Sequence, residues 1–287
     1  MSDNSKISWT QASWNPIVGC SKVSAGCRSC YAERMTKRLQ AMRVAKYADG
    51  FDKVVCHSDC LEEPFHWKKP RMIFVCSMSD LFHNAVPDKF LDLVFDTIEK
   101  TPQHTYQILT KRTQRMAAHW IDSVHLWPQN AWAGVTVENQ EMADKRIPDL
   151  LRVNASVRFV SCEPLLGPID FFKIPRPDDG YFCWRGEIGA IGSKDEPDDY
   201  VWANKTGISQ IIVGGESGPG ARPMQAQWVR DIRDQCIASG VPFFFKQWGD
   251  RTRFDRMDTE AVQAGCNLRQ KNGGCVLDGR EWKEFPK

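Results

Sequence analysis

The sequence lacks a long hydrophobic run, a low-complexity tract and a strong net charge. No apolar stretch approaches the roughly 18 residues that a membrane-spanning helix needs. The first residues, MSDNSKISWTQ, lack the apolar centre of a secretory signal peptide. These absences predict a cytoplasmic protein without a membrane segment. The 38 lysines and arginines nearly balance the 36 carboxylates, and a net charge of +2 gives no global argument for nucleic acid or membrane binding.

Cysteine, in contrast, is abundant, with 11 in 287 residues. Without an export signal a disulfide framework is not expected. Cys76, Cys162 and Cys236 lie in apolar surroundings and are predicted to be buried thiols. Three others stand apart, because they fall within eleven residues with the spacing C-x6-C-x2-C. They are Cys20, Cys27 and Cys30.

Short apolar runs alternate with amphipathic segments along most of the chain, which predicts repeated strand–helix units. Near-continuous apolar strands are typical of a parallel sheet covered on both faces. At this length the pattern favours an α/β fold with a full or partial (β/α) barrel, and a doubly wound sheet is the second choice. A first unit is expected around NPIVGC (15–20), with a long helix from Tyr31. The further predicted strands are 71–80, 105–112, 131–139, 157–166, 208–217 and 242–249, and the further predicted helices are 87–101, 113–121, 140–153 and 225–240.

Two stretches interrupt this rhythm. Residues 172–206 are rich in Pro, Asp and Gly and are predicted to be an insertion. Residues 250–287 are predicted to be a C-terminal extension packed on the barrel, with a hairpin turn at Asp278–Gly279. The sequence therefore predicts a barrel over 1–249 followed by this extension.

Polar residues recur where the predicted strands end, which in barrels is the rim that carries the chemistry. The glycine-rich stretch GGESGPGAR (214–222) follows one strand but has neither the G-x-G-x-x-G pattern nor a Walker lysine. We therefore expect it to let a ligand approach the backbone. The strand-end residues are Ser77, Asp80, Lys111, Arg112, Glu138, Glu163, Glu216, Ser217, Lys246 and Gln247.

The three clustered cysteines are compatible with three kinds of site. Zinc needs four ligands, and a second pair is offered by Cys56 and Cys60, or by His57 with Cys60. A redox pair at C-x2-C leaves the first cysteine without a role. Three thiolates can hold three irons of a 4Fe–4S cluster and leave the fourth iron open. Cys56, Cys60, Cys266 and Cys275 stay open as ligands of a second metal.

The stretch NPIVGC……GCRSCYAERM resembles the radical S-adenosylmethionine signature of the branch that contains spore photoproduct lyase. Most of residues 7–287, apart from 172–206, is similar to the phage-associated three-Cys-motif family. The first gap departs from the usual radical-enzyme spacing, since six residues stand where three are typical. The motifs that carry the resemblance are ISWTQASWNPIVGC, SMSDLFH, ILTKR, GVTVEN, CEPLLGPID, IIVGGESGPGARPM, VPFFFKQWG and LDGREWKEFP.

This resemblance implies a radical S-adenosylmethionine barrel in which Cys20, Cys27 and Cys30 bind a 4Fe–4S cluster. S-adenosyl-L-methionine would bind the open iron, and its reductive cleavage would give a 5′-deoxyadenosyl radical. Cofactor contacts are expected at Ser77, Asp80, Glu138 and Arg146, with Arg222 as a further candidate, and catalytic roles at Lys111, Glu138 and Glu216.

The resemblance to a nucleic-acid-repair branch and to a phage-associated family implies a nucleic-acid or nucleotide substrate, and aromatic residues beside basic ones could stack its bases. Trp9, Trp14, Trp228 and Trp248 lie beside the motifs quoted above. The expected partners are a reductase or flavodoxin-type electron donor and a protein encoded nearby. The alternative hypothesis is a zinc- or cluster-stabilised nucleic-acid-binding or interaction protein without catalysis.

Overall fold

The computed structural model describes residues 5, 7–121, 126–175, 207–250, 259–270 and 272–286. The chain divides into two compact units, an N-terminal unit of Met1–Gly134 and a C-terminal unit of Val135–Lys287. The predicted boundary after residue 249 separates a barrel from a C-terminal extension. The division into these two units does not decide it, and it stays a prediction. Most of the predicted insertion, residues 176–206, lies outside the described residues.

Three parallel strands form the centre of the N-terminal unit. Strands β1 (Ala12–Trp14), β4 (Met72–Val75) and β5 (Thr105–Thr110) lie side by side in that order. A short antiparallel ribbon of β2 (Ile17–Val18) and β3 (Val55–Cys56) stands beside the cysteine loop. The helices of this unit are α1 (Tyr31–Ala41), α2 (Asp88–Glu99) and α3 (Thr113–Ile121).

The C-terminal unit repeats the same plan. Strands β7 (Arg158–Cys162), β8 (Gln210–Gly214) and β9 (Phe243–Gln247) pair in parallel in that order, while β6 (Ala131–Thr136) runs across the boundary at residue 134. Every residue of β6, β7 and β8 is buried. The helices are α4 (Gln140–Arg152), α5 (Ala226–Ser239) and α6 (Thr259–Gln263).

The predicted α/β fold is confirmed, and its strand–helix order matches the apolar periodicity of the sequence. Local signals set the helix ends, since Asn139 caps α4 by accepting from the Met142 N–H at 3.0 Å and Gly240 ends α5 with φ +68°. Among the described helices, none has the length and apolarity needed to cross a membrane.

The first predicted strand was misplaced. The parallel strand is Ala12–Trp14, ahead of NPIVGC, and Ile17–Val18 pairs in the ribbon instead. Pro16 separates the two segments, because it has no N–H to donate to a ladder. Its carbonyl accepts from the His57 N–H at 2.8 Å, which directs the chain into the ribbon.

The predicted C-terminal hairpin is present. Strands β10 (Val276–Leu277) and β11 (Arg280–Glu281) are antiparallel, and Asp278 and Gly279 between them have φ +50° and +79°. The chain beyond the hairpin pairs with β9, since the Phe245 N–H donates to the Trp282 carbonyl at 2.9 Å. The tail therefore covers hydrogen-bonding groups of a strand that ends the β7–β8–β9 order.

We expect Trp282→Ala to lower the free energy of unfolding by about 1–3 kcal/mol. The Arg280 guanidinium lies 3.9 Å from the centroid of the indole, and the Phe243 ring packs edge-on at 5.8 Å. Urea denaturation measures the change. Leu268→Ala, at a side chain 40% exposed in the same unit, is the control and should change stability by less than about 0.5 kcal/mol. Equal losses in the two variants would contradict this packing role.

Candidate metal centre

The backbone fixes Cys20 at the start of the cysteine loop. Gly19 has φ +83°, and a Cβ at this position would lie 2.1 Å from the Lys53 carbonyl oxygen. Only glycine therefore fits beside the first cysteine. The Cys20 N–H donates to the Phe51 carbonyl at 2.8 Å, so this residue enters the loop in a defined orientation.

Cys27 and Cys30 each lie at the end of a helical element. Cys27 ends a 3₁₀ turn, Ala25–Cys27, and Cys30 is the N-cap residue of α1. The amino end of a helix carries partial positive charge, which favours an anionic group in its surroundings. A redox pair is disfavoured by this geometry, because Cys27 does not follow a strand.

The three cysteines share one region of the N-terminal unit. All three are half-buried, and Cys20 and Cys30 pack against the same apolar cluster, which contains Phe51 and Met78. Cys27 lies near enough to Cys20 for the two thiols to interact electrostatically. The loop thus brings three soft sulfur donors into one region of the N-terminal unit.

Across the described ranges, no three His, Cys, Asp or Glu side chains are arranged to hold a single metal ion. A four-iron cluster takes one thiolate for each ligated iron, so its ligands stand further apart than those of one ion. Three half-buried thiols on one loop are the donor chemistry that such a cluster uses. The donor chemistry of the three thiols is compatible with such a cluster, and the cluster itself stays a prediction.

Arg112 is the residue that joins the cysteine loop to β5. It follows β5, and its Nη1 donates to Cys20 Sγ at 3.5 Å and to Asp80 Oδ2 at 2.9 Å. Its Nη2 donates to the carbonyl and the hydroxyl oxygen of Ser21 at 2.9 and 3.0 Å. One guanidinium therefore contacts a thiol, a carboxylate and the loop backbone.

Asp80 is the carboxylate that holds the Arg112 guanidinium. Its Oδ1 accepts from the Phe82 N–H at 3.0 Å and from the Thr110 hydroxyl at 2.7 Å, and its Oδ2 also accepts from the Lys111 N–H at 3.2 Å. The side chains of Arg112 and Asp80 are only 9% and 8% exposed. A buried ion pair with its remaining hydrogen bonds satisfied is a rigid anchor.

His83 and Ser21 complete this network. His83 Nδ1 accepts from the Ala85 N–H at 3.1 Å, so the ring proton of the neutral imidazole is on Nε2, which donates to Ser21 Oγ at 2.8 Å. In this tautomer His83 is no base for Ser21, which argues against a serine nucleophile. Burial, followed by the positive charge of Arg112, lowers the pKa of His83 and keeps the ring neutral.

The long first gap of the cysteine motif has a structural explanation. Ser21 is held by Arg112 and His83, and Lys22 forms an ion pair of 3.1 Å with Glu33 on α1. The first two residues of the gap are therefore held by the segments after β4 and β5 and by α1.

The zinc alternative receives little support from the second cysteine pair. Cys56 lies in β3, and Cys60 is buried with its sulfur 2.9 Å from Lys46 Nζ. An ammonium group against the sulfur repels a metal cation at the same place. All ten cysteines within the described ranges are free of disulfides.

Two predicted residues of the N-terminal unit lie close to this network in sequence. The Ser77 hydroxyl donates to Asn15 Oδ1 at 3.1 Å, and Asn15 immediately follows β1. Lys111 stands between Thr110 and Arg112 and is held by its backbone N–H on Asp80. The structure thus brings Asp80 and Lys111 to one network, while the predicted roles of Ser77, Asp80 and Lys111 stay predictions.

The predicted residues of the C-terminal unit form ion pairs there. Arg146 Nη1 donates to Glu138 Oε2 and to the Thr136 carbonyl, both at 2.7 Å, and the two side chains are 4% and 0% exposed. Arg222 donates to Glu216 through its backbone N–H and its Nε, each at 2.9 Å. These contacts stabilise the strand ends, and the predicted cofactor and catalytic roles of Glu138, Arg146 and Glu216 stay predictions.

The glycine-rich stretch after β8 makes room for the protein backbone. A Cβ on Gly215 would lie 1.9 Å from the Trp248 carbonyl oxygen. The close approach expected for a ligand is therefore made by the segment after β9. Packing within the C-terminal unit accounts for this glycine.

The sequence places Arg112 among the strand-end residues but assigns a specific role only to its neighbour Lys111. Ser21 and His83 were not predicted as members of the site. The choice between Lys111 and Arg112 depends on which side chain points to the cysteine loop, and that is a tertiary contact.

The fold and the site define an α/β protein with a three-cysteine loop anchored by a buried arginine–aspartate pair. A family model described as "Protein of unknown function (DUF5131)" matches residues 4–286. The chain belongs to that family. No curated protein and no solved structure matches the sequence.

Burial of the sulfur and then the negative charge of Asp80 raise the pKa of the Cys20 thiol to about 11, although Arg112 acts in the opposite direction. In the iron-free protein at pH 9 we therefore expect iodoacetamide to modify Cys20 at least about tenfold more slowly than in the urea-unfolded chain, because the thiolate is the reacting form. Peptide mass spectrometry measures both rates. Equal rates in the folded and unfolded chains would contradict the burial.

Proposed function

We propose that this protein is a radical S-adenosylmethionine-like iron–sulfur enzyme that modifies or repairs a nucleic-acid or nucleotide substrate. Cys20, Cys27 and Cys30 would hold a 4Fe–4S cluster, and the sheet would belong to a TIM-like partial barrel. The observation that carries the proposal is the contact of the Arg112 guanidinium with the Cys20 sulfur, next to the buried ion pair of Arg112 with Asp80.

Each part of the cysteine loop has a task in this proposal. Gly19 and the Phe51 carbonyl orient Cys20, the 3₁₀ turn presents Cys27, and the start of α1 presents Cys30. Three thiolates leave one iron without a protein ligand, which is where S-adenosyl-L-methionine would bind. The bound cluster would supply the single electron that cleaves the sulfonium of this cofactor.

Arg112 supplies positive charge beside an anionic site. A hydrogen bond and a charge close to a ligating sulfur stabilise the reduced state of a cluster, which carries one more negative charge. Asp80 fixes the guanidinium, so its position does not depend on the metal. Lys111, next to Arg112, is the proposed contact for the cofactor carboxylate or for phosphate.

The reduction step implies an external electron donor, and we propose a reductase or flavodoxin-type protein for it. The competing hypothesis is a zinc- or cluster-stabilised binding protein without catalysis. The ammonium of Lys46 at the Cys60 sulfur speaks against the four-cysteine zinc version. Cofactor cleavage separates the enzyme from a cluster-stabilised binding protein.

Anaerobically purified protein should be brown, contain about four irons per chain and release 5′-deoxyadenosine from S-adenosylmethionine with a reductant. We expect Cys20→Ser to lose the iron, because one of three ligands is removed. The matched control is Cys275→Ser, at a half-buried thiol that contacts Glu281 in the C-terminal unit. Iron analysis, absorbance and product analysis measure the outcome.

A colourless protein with stoichiometric zinc would contradict the proposal. So would equal iron loss in the two serine variants. A brown protein that leaves S-adenosylmethionine intact with several reductants and with DNA and RNA present would favour the binding protein.

We expect Arg112→Gln to lower the reduction potential of the cluster, because it removes a positive charge and a donor from the Cys20 sulfur. Arg112→Lys should retain part of the effect, since it keeps the charge. Spectroelectrochemical titration of the iron-loaded variants measures the potential. Arg269→Gln removes the same charge from an exposed position and is the control.

An unchanged potential in Arg112→Gln with full iron content would refute this role. A shift of the same size in Arg269→Gln would assign the effect to net charge alone.

A further inference from the structure

The segment around the cysteines carries far more positive charge than the rest of the chain. Residues 22–53, named here the basic segment, contain eight lysines and arginines and three carboxylates, a net charge of +5. The whole protein has only +2, so the remaining residues together carry −3. The cations are Lys22, Arg28, Arg34, Lys37, Arg38, Arg43, Lys46 and Lys53, and the carboxylates are Glu33, Asp49 and Asp52.

Local carboxylates neutralise only part of this charge. Glu33 is shared by two lysines, Lys22 at 3.1 Å and Lys37 at 3.0 Å, and Asp49 pairs with Lys53 at 3.0 Å. Arg28, Arg38 and Arg43 are exposed and have no carboxylate within ion-pair distance in the described part of the chain. An excess of positive charge therefore faces solvent.

The helix α1 separates an apolar side from a basic side. Ala32, Met35 and Leu39 pack in the apolar cluster that also holds Cys20 and Cys30. Tyr31 and Arg38, seven residues apart, lie on one helix face, and both are exposed to solvent. Tyr31 is 54% exposed although it is a large aromatic and directly follows Cys30.

An exposed aromatic ring among exposed arginines matches single-stranded nucleic acid. Successive bases stack on aromatic rings, and arginines contact the phosphates that follow the same path. Arg28 precedes α1 and Arg43 follows it, so the cations extend over a helix that is about 16 Å long. Uncompensated cations before, on and after one helix give a local positive potential that attracts a polyanion.

We propose that the basic segment binds the phosphate backbone of single-stranded DNA or RNA, with one base stacked on Tyr31 next to the cysteine loop. This inference deepens the proposed function, since it names the surface and the strandedness of the substrate. It places the nucleotide beside the residue that follows Cys30, where the proposed cluster would lie.

The test is fluorescence anisotropy of the full-length protein with labelled single-stranded oligonucleotides of mixed sequence at several salt concentrations. We expect the triple variant Arg28→Ala/Arg38→Ala/Arg43→Ala to reduce the slope of log K against log salt by about 2, at about 0.7 for each phosphate contact. Tyr31→Ala should lower the affinity about fivefold or more with an unchanged slope, because stacking involves no ion release.

The matched control removes the same charge elsewhere in the N-terminal unit. Lys68→Ala/Lys69→Ala/Lys89→Ala changes three exposed lysines outside the basic segment and should leave the slope unchanged. Circular dichroism melting of all variants verifies that they fold. DNA and RNA oligonucleotides are measured in parallel. Binding of either one that shows the expected changes in salt slope and in affinity supports the inference.

Three results would overturn the inference: no salt-dependent binding, equal losses in the two triple variants, or tighter binding to duplex DNA or to phosphatidylserine vesicles. Measuring iron-free and iron-loaded protein separates this inference from the proposed enzyme. Oligonucleotide binding with no iron uptake would refute only the enzyme. Cofactor cleavage without oligonucleotide binding would refute only the basic segment as the substrate surface.

Discussion

The N-terminal unit depends on one buried ion pair, that of Asp80 with Arg112. The pair connects the turn after β4, the end of β5 and the backbone of the cysteine loop through a single carboxylate and a single guanidinium. Removing one partner of such a pair leaves an uncompensated buried charge, which typically costs about 3–5 kcal/mol. The geometry around Cys20 is therefore set by protein groups that need no metal to be in place.

The same principle operates in the C-terminal unit with different consequences. Glu138 and Glu216 each lie two residues after a buried strand, and each binds an arginine from a following segment, so their charges are satisfied within the unit. Burial makes this pairing necessary, since an ionised carboxylate without a partner is expensive away from water. Glu163, paired with Lys246 at 2.9 Å, follows the same rule. Some of the polar residues after the strands therefore stabilise the fold through ion pairs.

Much of the fold was predictable from the sequence because it depends on local periodicity. The apolar runs that became β5 to β9 and the amphipathic segments that became α2 to α5 lie within a few residues of the predicted positions. The Asp278–Gly279 pair predicted the hairpin, since Asp-Gly is a common two-residue turn sequence. In the structure both residues have the positive φ that this turn requires. The first strand was not predicted at its observed position. It has only three residues, Ala12–Trp14, which is too short to show an alternation of apolar and polar residues.

By itself, the sequence determined the α/β class, the order of the elements, the three clustered sulfurs and the charge of the basic segment, because spacing and composition carry this information. Only the tertiary structure decided which strand-end cation contacts Cys20, that Cys60 is engaged by Lys46, and that Gly215 accommodates the Trp248 backbone. The residues in these three contacts are, in the same order, 92, 14 and 33 positions apart in the sequence. A contact of that kind depends on how elements pack, and no local pattern encodes the direction of a side chain across such a distance.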